Sequence, residues 1–450
     1  MCSVVGVPGT LAVLKMAHEK HGKLPWRNLF APAIELAERG FPMPKYMHTI
    51  LTLPGAAANH PDMLPLYFDA DGKVKPIGTP IQNPAYAATM KRIAASGADG
   101  LRTEGAGARL IAALQRGFRP SLMTAVDLAA YRAEMREPLC APFLVYSVCA
   151  MAPPSFGGVV VLQVLQMLEA RALPAGGAPR FDFDSAEFTH YYAEAGRLAQ
   201  ADRLRYVGDP GFVRVPREAL INRGYVRERA RNIDPARAAK EVLAGEPEAV
   251  AKAAQAGTAE LPEAQVADAT SQLAIVDASG NALSMTTTIN LNFGARLMAD
   301  GFVFNNAMTN FTGLPRAGQP APNRMQAEKR PVTSMAPLIV FDASGNPTVV
   351  GGSAGGNQIV DYIASSLVEM LANARTPAEA LARGHVSTAI RGKVQLEQGT
   401  PAAQQAAALT AKGHSVDVVP MISGLGFLMR REGGWIGAAD PRRDGVAEGR

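Results

Sequence analysis

What this chain lacks narrows its function first. No uninterrupted apolar segment reaches the roughly 18 residues needed to cross a bilayer, although 48% of the 450 residues are apolar. Charge is sparse at 19%, and the net charge of +5 is small for this length. The basic residues are scattered among acids, as in RNIDPARAAKEVLAGEPEA (231–249), with no basic patch for a nucleic acid to engage. The three cysteines, Cys2, Cys140 and Cys149, have no metal-ligand spacing. Cys140 and Cys149 flank APFLVYSV and could face one another across a hairpin, but two buried apolar thiols is the expected arrangement. The seven histidines show no ligand pattern either, so neither a metal nor a cofactor is expected. The first residues, MCSVVGVPGTLAVLKMAHEK, have no basic region ahead of the apolar run and no small-residue cleavage site behind it, so no signal peptide is read there.

What is present is a change of character along the chain. Residues 8–115 carry apolar positions three and four apart, punctuated by proline and glycine, which predicts helices. A strand pair is expected near LCAPFLVYSVCA, a Pro-Pro-Ser-Phe-Gly-Gly turn after it, and two further helices over VVVLQVLQMLEA and SAEFTHYYAEAGRLAQADRLRY. Residues 241–268 turn to alanine, glycine, proline and acids, the composition of an exposed, mobile connection. β character follows at once. The turn DASGN occurs twice, at Asp277–Asn281 and Asp342–Asn346, each between apolar runs, and marks two hairpins. The continuous run PLIVF predicts a strand covered on both faces, within a sheet sandwiched between other layers.

Two stretches carry candidate chemistry. In the hairpin after Asp268, Thr270 opens the first strand, and on the return strand Ser284, Thr286, Thr288 and Asn290 share one face by the period of two. Such a row fits a solvated face as readily as a site. The second stretch is Gly351–Gly356, GGSAGG. Its Gly351-Gly352-Ser353-Ala354-Gly355 matches the nucleophile elbow of α/β-hydrolases, with Asp361 or Asp417 and His385 or His414 in the required chain order. The helical first half argues against that fold. The same glycines, ahead of a helix, equally suit an oxyanion held by backbone N–H groups. No histidine stands near Thr270 in sequence, and no carboxylate partner for its hydroxyl is apparent there. A threonine can dispense with one if it is the first residue of a chain, because its own α-amine then acts as the base. That requires the peptide bond between Ala269 and Thr270 to break.

From Gly6 to Arg443 the ordered blocks GVPGT, LPWRNLFAPAIELAERGFP, DLAAYRAEMREP, MAPPSFGG, ADRLRYVGDPGFVRVP, TSQLAIVD, GNALSMTTTINLNFG, GFVFNNAMTNF, KRPVTSMAP, GGSAGG and GAADPRR resemble the γ-glutamyltransferase family of N-terminal-nucleophile hydrolases. The resemblance implies an α+β, four-layer αββα fold with a helix-rich first half and a central sandwich of two mainly antiparallel sheets. It implies self-cleavage into 1–269, the large-subunit-like segment, and 270–450, the small-subunit-like segment. These would stay together as a heterodimer within one intertwined domain. It implies a γ-glutamyl or related amide as substrate, with no nucleic-acid or membrane partner. Thr270 is then the nucleophile, Thr288 the residue that positions it, and Gly355 and Gly356 the oxyanion donors. Asn290, Asn310, Thr333 and Ser334 fall at substrate-binding positions. Three departures stand out. Ala307 and Asn310 replace an acid or amide and an aspartate that hold the substrate ammonium, and Gln272 replaces a frequent histidine. The family's amino-terminal block, with strands of the sandwich and an arginine for the substrate carboxylate, is not seen ahead of Gly6. Relatives are commonly exported, which sets a periplasmic or secreted location against the cytoplasmic one that this start alone implies. An unprocessed, inactive homologue serving as a scaffold is the other reading.

Overall fold

The computed structural model describes residues 4–53, 61–102, 104–116, 120–172, 181–248, 268–313, 321–390 and 392–449. Most of the connection expected at 241–268 lies outside these residues. The chain folds as two compact units. The first comprises 1–136, 267–269 and 288–309, and the second holds the remainder.

The first unit is helical, as the periodicity predicts: α1 (Thr10–His21), α2 (Ala31–Arg39), α3 (Lys45–Thr52), α4 (Leu64–Tyr67), α5 (Pro84–Ser96), α6 (Glu104–Gln115) and α7 (Ala125–Ala130). Local chemistry sets several of the boundaries. Asn83 accepts from the Tyr86 amide, with Pro84 at the first position of α5. Thr124 and Asp127 form a reciprocal capping box on α7. Two small strand pairs complete the unit, β1 (Phe41–Pro42) with β2 (Pro80–Ile81), and β7 (Met298–Ala299) with β8 (Phe302–Val303). At the tip of the latter pair Asp300 sits in the left-handed region at φ 49°. It accepts from Arg92 at 2.6 Å and from Arg109 at 2.8 and 2.9 Å. The Arg109 hydrogen bond holds its carboxyl below the usual aspartate range.

The second unit is built in layers. Strands β3 (Leu139–Phe143), β4 (Tyr146–Ala150), β9 (Leu338–Phe341), β10 (Pro347–Ala354), β14 (Gly424–Arg431) and β15 (Gly434–Ala439) form one antiparallel sheet in the order β15-β14-β10-β9-β4-β3. Helices α8 (Gly157–Ala172) and α12 (Ile359–Leu371) pack on one face, with α9 (Ala186–Tyr206), α10 (Arg217–Leu220) and α11 (Arg223–Arg231) around α8. Apolar on nearly all sides, α8 is buried from Gly157 to Glu169, and such a helix is stable only inside a core. Around α12 lie α13 (Pro377–Ala382), α14 (Ala406–Ala411) and a three-stranded sheet of β11 (Val386–Ser387), β12 (Val394–Glu397) and β13 (Val416–Val419).

Strands β5 (Asp268–Val276) and β6 (Ala282–Leu291) form the hairpin expected after Asp268. Residues 270–287 of it belong to the second unit and pack on the sheet face opposite the helices. The two DASGN turns close identically. Asp277 Oδ1 accepts from the Ser279 and Asn281 amides at 2.9 Å, and Asp342 Oδ1 does the same for Ser344 and Asn346. Gly280 and Gly345 both supply φ 81°.

One main core joins Leu139 through Ile233 to Val332 through Met429. It therefore draws on chain from both sides of the Ala269–Thr270 bond. Cutting that bond leaves the buried apolar surface intact, and the two pieces are expected to stay associated until denatured.

The cysteines differ from the sequence expectation. Leu139, Ala141 and Phe143 take the inward face of β3, so period-two alternation turns Cys140 outward, where it is exposed. Cys140 faces Cys149 in the ladder with Cα atoms 4.0 Å apart, and the two are disulfide-bonded. The denatured, unreduced protein should therefore titrate one thiol with Ellman's reagent and three after reduction. Three thiols without reduction would mean that the bridge is absent.

Candidate active site

The polar row on β5 and β6 turns inward. Thr270 is 5% exposed, and Gln272, Ser284 and Thr286 follow it on the sheet-facing side. The outward face carries Leu273, Ile275 and Leu283, each about half exposed at 46, 50 and 48%. This reverses the usual arrangement of a hairpin on a core, in which the polar face meets water. Hydroxyls and amides turned from water need partners, and these half-buried ones partner one another. Thr286 donates to Gln272 Oε1 at 2.6 Å, Gln272 Nε2 donates to Ser284 Oγ at 3.0 Å, and Ser284 donates to the Gly351 carbonyl at 2.8 Å.

This network explains two features of the sequence. Gln272 offers both a donor and an acceptor, which lets one amide bridge two strand hydroxyls. Gly352 leaves room for that amide: a Cβ there would stand 2.6 Å from Gln272 Oε1 and push it aside. The hairpin that carries Thr270 is thereby clamped to the strand that leads into Gly355 and Gly356.

Those two glycines close β10 and open the turn into α12. Gly355 has φ 137° and Gly356 φ 57°, both in the region that disfavours a side chain. A Cβ on Gly355 would also lie 2.4 Å from the Tyr362 ring. Ser334, 8% exposed, donates to the Gly356 carbonyl at 2.7 Å. Thr333 and Ser334 are held in turn by the Pro-Pro-Ser-Phe-Gly-Gly turn. Ser155 donates to the Thr333 carbonyl at 3.1 Å and the Met335 carbonyl at 2.5 Å, and the Phe156 amide donates to the Thr333 carbonyl at 2.9 Å. Two blocks far apart in sequence thus brace the glycine turn.

Ser353 is no elbow. It lies within β10, and alternation turns it away from Gly352 and the hairpin, toward the helices. Its hydroxyl is buried and donates to the Ala354 carbonyl at 2.6 Å. The triad partners are occupied elsewhere. His385 pairs with Ser423 at 2.6 Å, His414 with His190 at 2.7 Å, and Asp361 accepts from Ser387 and the Thr388 amide at 2.7 and 3.0 Å. Asp417 receives Lys393 at 2.9 Å. Ser353→Ala should leave turnover within a few-fold of wild type, measured with any active amide donor.

Burial shapes the titration of these groups. It pushes the His414 imidazolium down to about 4, helped by the charges of Arg197 and Lys412, and pushes His385 well below its ordinary value. It raises Asp361 to about 6. A histidine depressed in the folded state contributes stability above pH 6.5 that is lost as pH falls through the folded value. Asp361 acts oppositely, gaining as pH falls below about 6. Two histidines outweigh one aspartate, so the thermal midpoint should drop between pH 6.5 and 4. In His414→Gln that drop should be shallower; an unchanged slope would remove His414 from the account.

Thr288 and Asn290 are placed in the first unit and hold a mesh of their own. The Asn290 amide donates to Thr288 Oγ1 at 2.8 Å, with Asn290 in the left-handed region at φ 77°. Its side-chain Nδ2 donates to Thr309 Oγ1 at 2.9 Å, and the Leu291 amide donates to Asn306 Oδ1 at 3.0 Å. Ala307 lies in the same unit, near Gly6. Asn310 belongs to the second unit, where its carbonyl accepts from Asn323 at 2.8 Å.

One partner of Thr270 had no signal in the local pattern. Arg443, in the GAADPRR block, donates to the Thr270 carbonyl at 3.1 Å. Nothing about its spacing from Thr270 could have paired them. Among the described residues no cluster of three His, Cys, Asp or Glu side chains could hold a metal ion, and no helix is long and apolar enough to cross a membrane.

Helices over an antiparallel sheet, with a threonine hairpin on its other face, give the α+β fold of an N-terminal-nucleophile hydrolase. The crystal structure of cephalosporin acylase from Bacillus halodurans superposes with a TM-score of 0.82 over 99% of this chain and 79% of that one, at 22% identity, a likeness of fold. Residues 2–450 match the family described as Gamma-glutamyltranspeptidase, and the chain belongs to that family. The glutathione hydrolase proenzyme of Bacillus subtilis (strain 168) is 30% identical over 99% of this chain and 75% of its own length. The acylase ACY 1 proenzyme of Pseudomonas sp. (strain SE83) is 33% identical over 98% of this chain and 74% of its own.

Proposed function

We propose that this chain is a self-cleaving amide acylase or acyltransferase in which Thr270 is the nucleophile. The observation that carries this reading is the burial of Thr270 at the head of an inward polar row, on a hairpin fastened to the strand that ends in Gly355 and Gly356.

In self-cleavage Thr270 Oγ attacks the Ala269 carbonyl carbon, its proton passes to the Thr270 nitrogen as the C–N bond breaks and frees the amine, and water then hydrolyses the resulting ester, releasing the Ala269 carboxylate and restoring the Thr270 hydroxyl. In turnover that amine accepts the Thr270 hydroxyl proton as Oγ attacks the substrate amide. The N–H groups of Gly355 and Gly356 receive the oxyanion. Collapse expels the leaving amine, which takes the proton back, and water or a second amine then cleaves the acyl-threonine ester. Thr288 positions the nucleophile, while Asn290, Asn310, Thr333 and Ser334 contact the acyl group.

The acyl group need not carry an α-ammonium. A carboxylate beside that ammonium contributes about 1.5–3 kcal/mol through a charge-assisted hydrogen bond. Ala307 has no polar side-chain atom, and Asn310 has only a neutral amide. The named relatives include both a glutathione hydrolase and an acylase, which agrees with a pocket of either kind. Comparing γ-glutamyl-p-nitroanilide with glutaryl-p-nitroanilide tests this directly. The kcat/KM values should differ by less than about tenfold, whereas a preference of about 100-fold for the glutamyl donor would show that the ammonium is still recognised. The Cys140–Cys149 bridge, exposed at Cys140, supports residence in an oxidising compartment.

A further inference from the structure

We infer that Arg443 is a positioning residue for Thr270, an inference that rests on Thr270 being the nucleophile. The turn Asp440–Arg443 closes with the Arg443 amide donating to the Asp440 carbonyl at 3.2 Å. It sends its two arginines in different directions. Arg442 is locked inward, donating to Glu397 at 2.6 and 2.7 Å and to the carbonyls of Leu381 and Arg383 at 2.8 and 2.7 Å. Asp440, 2% exposed, is fixed by Ser423 and by the Leu425 amide at 3.1 Å.

With its base held this way, Arg443 reaches Thr270. Nη1 donates to the Thr270 carbonyl at 3.1 Å and Nη2 to the Ile422 carbonyl at 3.4 Å. The side chain runs closely past Gly424, where a Cβ would stand 3.1 Å from both Cδ and Nε of Arg443. A fork of donors, rather than one flexible ammonium, spans the two carbonyls.

The consequence depends on cleavage. Before it, Thr270 is held by peptide bonds on both sides. After it, only the Thr270–Ser271 bond remains, and rotation about the Thr270 Cα–C bond swings the amine and the hydroxyl together. Pinning the carbonyl fixes the peptide plane against which that rotation is set. Arg443 should therefore matter more for turnover than for self-cleavage.

The test is Arg443→Met, which keeps side-chain length and removes the donors, with Arg443→Lys beside it and Thr270→Ala as control. The Met variant should self-cleave and unfold within a few degrees of wild type. Its kcat should fall at least about tenfold with KM within about threefold, as expected for misplacement of a reacting group. Added guanidinium should restore part of the rate, and the Lys variant should be intermediate. A Met variant within twofold of wild-type kcat, or a loss that guanidinium leaves untouched, overturns the inference. Should the Met variant fail to fold, the Lys variant decides: a change confined to KM, or no change, overturns it. If Thr270→Ala turns over, the nucleophile reading has failed instead, whatever Arg443 does.

Discussion

Thr270→Ala is expected to remain a single polypeptide and to lose turnover by about 10⁴- to 10⁶-fold, the range seen when a covalent nucleophile is removed. In the proposed mechanism one methyl-bearing hydroxyl serves both reactions, so its deletion should abolish both at once. Thr270→Ser separates the roles. It retains the oxygen and should retain self-cleavage and measurable turnover, with both slowed by the looser rotamer. Because the buried Thr270 side chain is small, the alanine variant should fold with a thermal midpoint near that of wild type. A single band that nevertheless turns over at wild-type rate would assign the chemistry elsewhere.

Gly355→Ala is expected to lower kcat by about 10²- to 10³-fold, the effect of displacing one oxyanion donor. Two independent constraints act at this position. The backbone has φ 137°, which an L side chain rarely adopts. The new methyl would also meet the Tyr362 ring at 2.4 Å. That ring is itself packed against His385, with centroids 4.3 Å apart, and cannot withdraw freely. The turn must shift, carrying its N–H groups with it. KM should change much less than kcat, because in the proposed mechanism the donors act on the oxyanion formed during reaction rather than on the bound amide. A variant that folds and keeps more than half its kcat would remove Gly355 from the oxyanion site.

The sequence disclosed much of this arrangement through local pattern. Helical periodicity marked the first half, the paired DASGN turns marked two hairpins, and alternation placed Ser284, Thr286 and Thr288 on one face. Alternation could not say which face turned inward. That was decided by the apposed strand, where Gly352 leaves room for Gln272 and the Gly351 carbonyl accepts from Ser284. The same ambiguity affected the cysteines, whose apolar neighbours suggested burial although the odd-numbered residues of β3 had already taken the core. Ser353 matched a motif whose chemistry needs a tight turn, yet the strand continues one residue past it and the turn falls at Gly355. Arg443 was illegible for a different reason. Its contact with Thr270 spans 173 residues and depends on a turn held by Glu397, Ser423 and Leu425, none of which is near either residue in sequence except through the fold.

The most direct measurement is intact-mass analysis of the purified, active protein together with amino-terminal sequencing. Two polypeptides, one beginning at Thr270 and both co-eluting before denaturation, are the expected result. Active material consisting of one uncut chain from before Ala269 to beyond Ser271 would contradict it.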